Sequence, residues 1–322
     1  MSLWRAAAGC FVPQYGVRGP VSHPVFSSVP SVQVAQVQRI VGQWFLAEQR
    51  PLPWRVSDTS PWAVLLSEVM SQQTPVSRVE PIWRRWLELW PEPADLAAAS
   101  TAMVLREWAS LGYPRRALRL QECARVVVDN HGGQVPDTYD ELVRLPGIGD
   151  YTAAAILSFA YGKRATVVDT NIRRVSARVF LGQALPHPTY SSAEKAFARA
   201  ITPESADDAV LWAEASMELG AIVCTARTAL CDQCPVRELC AWRLSGFPQD
   251  EHAHKRNPQK FTGTDRQVRG KIMKLLREEH GPVIRPRIDL VWPDLSQLER
   301  CLGSLVEDGL VEQDGEAYSL PN

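Results

Sequence analysis

The chain has 322 residues, 45% of them hydrophobic and 22% charged, which gives room for roughly two or three domains and a sizeable core. A net charge of −1 carries no global signature of a nucleic-acid binder, and no apolar run is long enough to span a membrane. Charge is instead local: Lys255–Arg277 holds eight bases and one acid, whereas Val283–Asn322 holds three bases and eight acids.

Residues 1–34 contain no Asp or Glu and are rich in Pro, Gly, Ser and Val. Without the continuous apolar core of a signal peptide, residues 1–31 read as a disordered leader of an intracellular protein. Helical period begins at Val32, with Val34, Val37, Ile40, Val41, Trp44 and Phe45 on one stripe, and ends near Glu48. Two prolines then force Pro51–Arg55 into an extended segment, and Pro61 opens a helix expected over Trp62–Gln73. Further helices are expected at 75–90, 94–98, 101–110, 115–130, 139–145 and 152–161, with no strand pattern before residue 280. The body is therefore all-α.

The last two of these helices flank Leu145-Pro146-Gly147-Ile148-Gly149, a turn that no helix interior would tolerate. Helix, glycine turn, helix is a helix-hairpin-helix. The turn presents backbone N–H groups at a helix N-terminus, so a phosphate can dock there without a lysine. Beyond it the apolar run Ala165–Val168 ends on Asp169, a lone carboxylate, and Thr170-Asn171 starts another helix. Positive helix ends nearby are expected to keep Asp169 ionised at low pH.

Four of the seven cysteines fall in one window, Cys224, Cys231, Cys234 and Cys240, spaced C-x6-C-x2-C-x5-C. Clustered thiols in an intracellular chain indicate metal ligands. One C-x2-C pair with long outer spacings suits a [4Fe–4S] cube better than zinc, which usually takes paired knuckles. Arg227 and Arg237 within the loop would offset thiolate charge and face a phosphate.

From Asn257 the style changes. Helices are expected at Thr264–Glu279, Arg285–Val291 and Leu295–Asp308, followed by a hairpin over Gly309–Leu320 around Asp314-Gly315. Three helices and a hairpin form a small winged-helix-like domain (261–322) behind a linker at 247–260.

Glu68 shares a helical stripe with Val64, Leu65 and Gln72. At the edge of that stripe its head would sit in water. Buried, its pKa would rise and make it a general acid, with Gln72 and Gln73 supplying amide donors and acceptors. An acid of this kind and an ionised Asp169 are the pair that breaks a glycosidic bond: one protonates the leaving group, the other stabilises an oxocarbenium-like sugar.

LPGIGDYTAAAI, VVDTNIRRV, MELGAIVCTAR with the cysteine loop, and LPWR with SEVMSQQT together resemble the MutY-type adenine DNA glycosylases of the endonuclease III superfamily, over about Val32 to Phe247. The resemblance implies a six-helix domain (61–163) and an iron–sulfur domain (32–60 with 164–246), with DNA in the cleft between them. It implies base flipping, because a stacked nucleotide hides its glycosidic bond. Glu68 matches the acid and Asp169 the stabilising carboxylate, with Tyr151 and Asn171 as supports. Trp54, Arg55 and Glu218 match the base pocket and Gln73 the side chain that wedges into the duplex. Pro146–Gly149 matches the phosphate clamp, and the four cysteines match cluster ligands. The implied partner is duplex DNA with adenine opposite 8-oxoguanine or guanine, bound by a monomer at the bacterial nucleoid.

Relatives that cut the strand as lyases place a lysine at position 151, and a phenol cannot form their Schiff base. The sequence departs from the pattern at Thr170, where glycine is usual, at Ser71, and in lacking the β-rich C-terminal domain. A thymine or uracil mismatch glycosylase on the same scaffold, or a non-catalytic cluster-bearing DNA-binding regulator, remain the alternative readings.

Overall fold

The computed structural model describes residues 29–256 and 261–322, so the expected leader falls almost wholly outside the described residues, as does the end of the linker. Helix α1 (Ser31–Glu48) buries Val37, Val41 and Phe45, the stripe seen in the sequence. After the Pro51–Arg55 segment the chain runs through α2 (Pro61–Ser71), α3 (Val76–Leu89), α4 (Pro93–Ala98), α5 (Thr101–Glu107), α6 (Arg115–His131), α7 (Tyr139–Leu142) and α8 (Asp150–Phe159). The Ser60 hydroxyl accepts from the Ala63 amide and Pro61 occupies the first turn, so both start signals of α2 operate together. Trp62, Trp86, Trp90 and Trp108 fill the middle of this bundle, with Trp86 edge-on to Trp90 at 4.8 Å and to Trp108 at 5.4 Å.

Helices α9 (Thr170–Leu181), α10 (Ser192–Ala200) and α11 (Ala206–Ile222) return to α1 and build a second core from Phe180, Phe197, Trp212, Leu219 and Val223. The cysteine loop and α12 (Ala241–Leu244) close over that core. The site lies where the two cores meet, because α2 and α8 of the first face α9 and α11 of the second across it.

Helix α2 stops earlier than its periodicity suggests. Gln72 leaves helical geometry and Gln73 takes φ +55°, a left-handed conformation that side chains rarely adopt. The bend is tied by the Arg116 guanidinium, which donates to the carbonyls of Val69, Met70, Gln72, Leu111 and Gly112 and to the Thr74 hydroxyl.

The C-terminal module comprises α13 (Asp265–Glu278), β1 (Val283–Ile284), α14 (Arg285–Asp289), α15 (Leu295–Glu307), β2 (Glu312–Asp314) and β3 (Ala317–Ser319). The hairpin forms, but it sits in a three-stranded antiparallel sheet of order β1-β3-β2; β1 is only two residues and left no alternation to read. The module is no loose appendage. Val268, Ile272, Leu302 and Leu305 belong to the same buried cluster as the tryptophans, Arg106 donates to the Glu279 carbonyl, and Arg115 pairs with Asp308 at 2.7 Å.

Candidate active site

Glu68 and Asp169, 101 positions apart in sequence, line one cleft of about 570 Å³ together with Trp54, Arg55, Tyr151, Asn171, Glu214 and Glu218. That volume lies within the usual range for small-molecule sites, about 300–1,000 Å³.

Glu68 projects from the third turn of α2. Burial pushes its carboxyl up to about 7, and the neighbouring charge of Asp169 adds to the rise. The Tyr151 hydroxyl donates to Glu68 Oε2 at 2.8 Å and Arg55 lies near; both favour the anion and lose to burial. Of the two sequence readings for Glu68, edge of the stripe or buried acid, the structure takes the second. Burial also raises the Tyr151 phenol far above its ordinary range, so it stays a donor.

Asp169 caps α9. Its Oδ1 accepts the Ile172 amide at 2.7 Å and its Oδ2 accepts Asn171 Nδ2 at 2.8 Å. The expectation of a lowered pKa is corrected: burial outweighs these bonds and holds the carboxyl above its ordinary value. What separates the two acids is hydrogen bonding. Both Asp169 oxygens receive donors that favour charge, whereas Glu68 has one donor.

Asn171 is itself held. Its Oδ1 accepts Arg174 Nη2 at 2.6 Å, and Arg174 also donates to the carbonyls of Gly220 and Cys224. Helices α9 and α11 approach so closely here that a Cβ on Gly220 would lie 2.7 Å from Asn171 Cβ and 2.9 Å from its carbonyl oxygen. A Gly220→Ala variant is therefore expected to lose about 1–3 kcal/mol of stability. Thermal unfolding measures this, and an unchanged midpoint would show that the helices part at no cost.

Trp54 stands edge-on to Trp83 at 5.6 Å on the cleft wall. Arg55 lies over the Phe45 ring and pairs with Glu218 at 3.0 Å, while its Nη1 is buried with no hydrogen-bond partner. A buried donor without an acceptor is costly. Gln72 and Gln73 do not line this cleft. Gln72 reaches Thr152 at 3.5 Å and borders a second hollow with Arg119, Pro146 and Gly147, while Gln73 is exposed at the rim.

In the hairpin, Gly147 has φ +79°, and its Cα packs so tightly on Arg119 that a Cβ would come within 3.2 Å of Arg119 Cβ. Ile148 is buried and pins the turn, leaving Gly147 and Gly149 exposed. Gly149 starts α8 with no side-chain cap, so the first N–H groups of that helix are open to an anion.

The four cysteines line one small cavity with Arg178 and Trp242. Among the described residues, no three metal-ligating side chains converge on a point as the ligands of a single ion would. Four thiols on one cavity are the donor set that a [4Fe–4S] cluster takes, one for each iron. Of the two arginines expected beside the thiols, Arg237 lines this cavity and Arg227 does not. Arg237 pairs with Glu238 and donates to the Asp232 carbonyl, and Arg227 is exposed. Arg178 of α9 joins Arg237 there, pointing Nη1 at Cys224 Sγ, 3.4 Å away, and stacking over Trp242. Arg174 and Arg178 stand one helical turn apart on α9, and both are buried.

Residues 66–203 match the model of the HhH-GPD superfamily of base excision DNA repair proteins. A protein of Mycobacterium tuberculosis named adenine DNA glycosylase is 47% identical over 281 residues, covering 86% of this chain and 91% of that one. Among solved structures, a thermostable thymine-DNA glycosylase superposes with a TM-score of 0.61 at 26% identity, over 66% of this chain and 98% of its own. An endonuclease III trapped on DNA superposes with a TM-score of 0.59 at 24% identity, over 68% and 100%, and shares the fold.

Proposed function

Since the chain belongs to the adenine DNA glycosylase family and carries the HhH-GPD domain of base excision repair, we propose that it hydrolyses the N-glycosidic bond of adenine paired with 8-oxoguanine or guanine in duplex DNA. The observation that carries this is the meeting of Glu68 and Asp169 in one cleft, an acid titrating near neutrality opposite an anion fixed by two donors. With adenine flipped into the cleft, the Glu68 carboxyl gives its proton to a ring nitrogen. The C1′–N bond then breaks with its electron pair leaving on the base. Asp169 faces the resulting oxocarbenium ion, and water adds to C1′, releasing a proton to solvent. Tyr151 and Asn171 hold the two carboxyls in place. Gln73, exposed on its left-handed turn, is the proposed wedge in the vacated stack. The N–H groups of Gly147 and Gly149 in the Pro146–Gly149 turn and the exposed Arg227 and Arg237 are proposed to meet backbone phosphate.

Cys224, Cys231, Cys234 and Cys240 would hold a [4Fe–4S] cluster, which when bound anchors the intervening loop. No described helix is long and apolar enough to cross a membrane, and the proposed working form is a monomer on nucleoid DNA.

Hairpin duplexes carrying A opposite 8-oxoguanine, A opposite G, T opposite G and U opposite G test the reading. Adenine release is expected; release of thymine or uracil without adenine would transfer the chain to the mismatch-pyrimidine class, and binding without base release would make it a regulator. Protonation by Glu68 favours the purine, whose ring offers a basic nitrogen. Because Tyr151 cannot form an imine, borohydride is expected to trap no covalent enzyme–DNA product and strand cleavage is expected only after alkali. An efficient trapped adduct would place a lyase amine elsewhere in the cleft.

A further inference from the structure

The Gln73 turn has a counterpart at Gly112-Tyr113, where Tyr113 takes φ +49° with its side chain exposed. A left-handed conformation is unfavourable for a residue with a side chain and persists only where the surroundings enforce it. Here the Arg116 guanidinium enforces both turns. It donates to the Gln72 carbonyl at 2.8 Å and to the Gly112 carbonyl at 3.1 Å, so one cation holds the two turns side by side.

The C-terminal module reaches this place. Helix α13 packs on α5, and Arg266 in its first turn lies over the Tyr113 ring at 4.5 Å and the Phe261 ring at 5.8 Å. Arg266 is exposed and makes no hydrogen bond or ion pair among the described residues, whereas Arg269 pairs with Asp308, Lys274 with Glu278 and Arg285 with Asp289. Arg119, beside Gly147 of the hairpin, is likewise exposed without an ion pair among the described residues. Between these two stands Arg115, which borders the hollow with Arg119 and Gln72 and pairs with Asp308 of the module. A row of arginines thus runs from the hairpin past the Gln73 turn onto α13, with an unpaired cation at each end. The parts with which a helix-turn-helix module ordinarily meets DNA are poorer candidates. On α15, Arg300 is tied to Asp265 at 2.9 Å, and the hairpin exposes Glu312, Asp314 and Glu316, which would repel a phosphate.

We propose that Arg266 binds a backbone phosphate of the duplex beside the Gln73 turn, so that the C-terminal module extends the DNA surface by charge and reads no base. This rests on the glycosylase reading above, which sets Gln73 in the duplex. The contacts with Tyr113 and Phe261 steady the guanidinium plane and leave its N–H fork free for phosphate oxygens.

Anisotropy titrations over a range of salt test this on two duplexes. One carries 2′-fluoroadenosine opposite 8-oxoguanine, whose fluorine resists bond breaking by destabilising the oxocarbenium ion; the other is fully paired. Losing one phosphate contact lowers the slope of log affinity against log salt by about 0.9. Arg266→Ala is expected to show this fall on both duplexes and to weaken each by roughly tenfold at low salt. Arg266→Lys, which keeps the charge, is expected to keep the slope. Lys274→Ala removes the same charge farther along α13 and is expected to leave slope and affinity unchanged. Adenine release by Arg266→Ala at saturating enzyme is expected to match the wild type. An unaltered slope in Arg266→Ala, or an equal fall in Lys274→Ala, would overturn the assignment. So would a loss confined to the 8-oxoguanine duplex, which would mean a base contact, or a fall in Arg266→Lys as large as in Arg266→Ala, which would mean that ring packing and not charge is at work. A wild-type chain that binds without releasing adenine would sink the glycosylase reading and leave the salt slopes to decide Arg266.

Discussion

Single-turnover base release by a Glu68→Gln variant is expected to fall by about 10²–10⁴-fold, the usual contribution of a positioned general acid, while affinity for the mismatched duplex is kept. The amide is isosteric and its oxygen still accepts the Tyr151 hydroxyl, so the cleft keeps its shape and loses only the proton. The pH profile is the sharper measurement. Glu68 titrates at about 7, facing Tyr151, Asp169 and Arg55. The wild-type rate should therefore hold below that value and decline above it as the proton is lost, whereas the variant's residual rate should be flat there. Stability should move the other way. The folded pKa lies above that of an exposed glutamate, so the native state binds a proton that the unfolded state has released. Wild-type stability accordingly falls as pH rises from about 4.5 to about 7 and then levels. Glu68→Gln lacks this loss and is expected to be more stable above pH 7, by on the order of 1–3 kcal/mol. Undiminished turnover in the variant would take Glu68 out of the reaction. A gain of stability without loss of rate would leave it only a buried acid.

The helices were legible because each writes its own period and its own stops. Val34, Val37 and Val41 gave α1, Ser60-Pro61 gave the start of α2, and Gly147 and Gly149 gave the hairpin. The end of α2 was not legible. Nothing local to Gln72 and Gln73 forbids a helix; the bend is imposed by Arg116, 43 positions beyond Gln73, through carbonyl bonds that leave no pattern in the chain. The same limit applies at the carboxylates. Sequence motifs named Glu68 and Asp169, but the sign of the Asp169 shift depends on how deeply α9 sits against α11, and helix-end electrostatics alone gave the wrong direction. Beside the cysteines, charge counting picked the arginines within the loop, of which Arg237 lines the cavity, and packing adds Arg178 from a neighbouring helix, which leaves no pattern in the loop. The ion pairing of Glu218 is likewise a property of two segments meeting, since its partners come from the turn at Arg50–Arg55.

Asp169→Asn separates the chemistry of the anion from its structural work. Asparagine caps helices about as well as aspartate, and its carbonyl can still accept the Ile172 amide, so α9 should keep its first turn. The site loses the negative charge of a half-buried carboxylate. Base release is expected to fall by about 10²–10³-fold, the cost of removing one electrostatic contact to a developing charge in a preorganised site. Because burial raises the Asp169 carboxyl, its ionisation opposes folding, and wild-type stability falls as pH rises through the shifted range. The variant, neutral throughout, is therefore expected to unfold at an equal or higher temperature at pH 7. Arg174 keeps its bonds to Asn171 and to the Gly220 and Cys224 carbonyls, so the link from α9 to the cysteine loop should also survive. The two readouts decide together. Inactivity with an unchanged or raised melting temperature identifies a charge retained for catalysis against its folding cost. A matching loss of stability would show that Asp169 acts mainly as a cap, and full activity would remove the anion from the reaction.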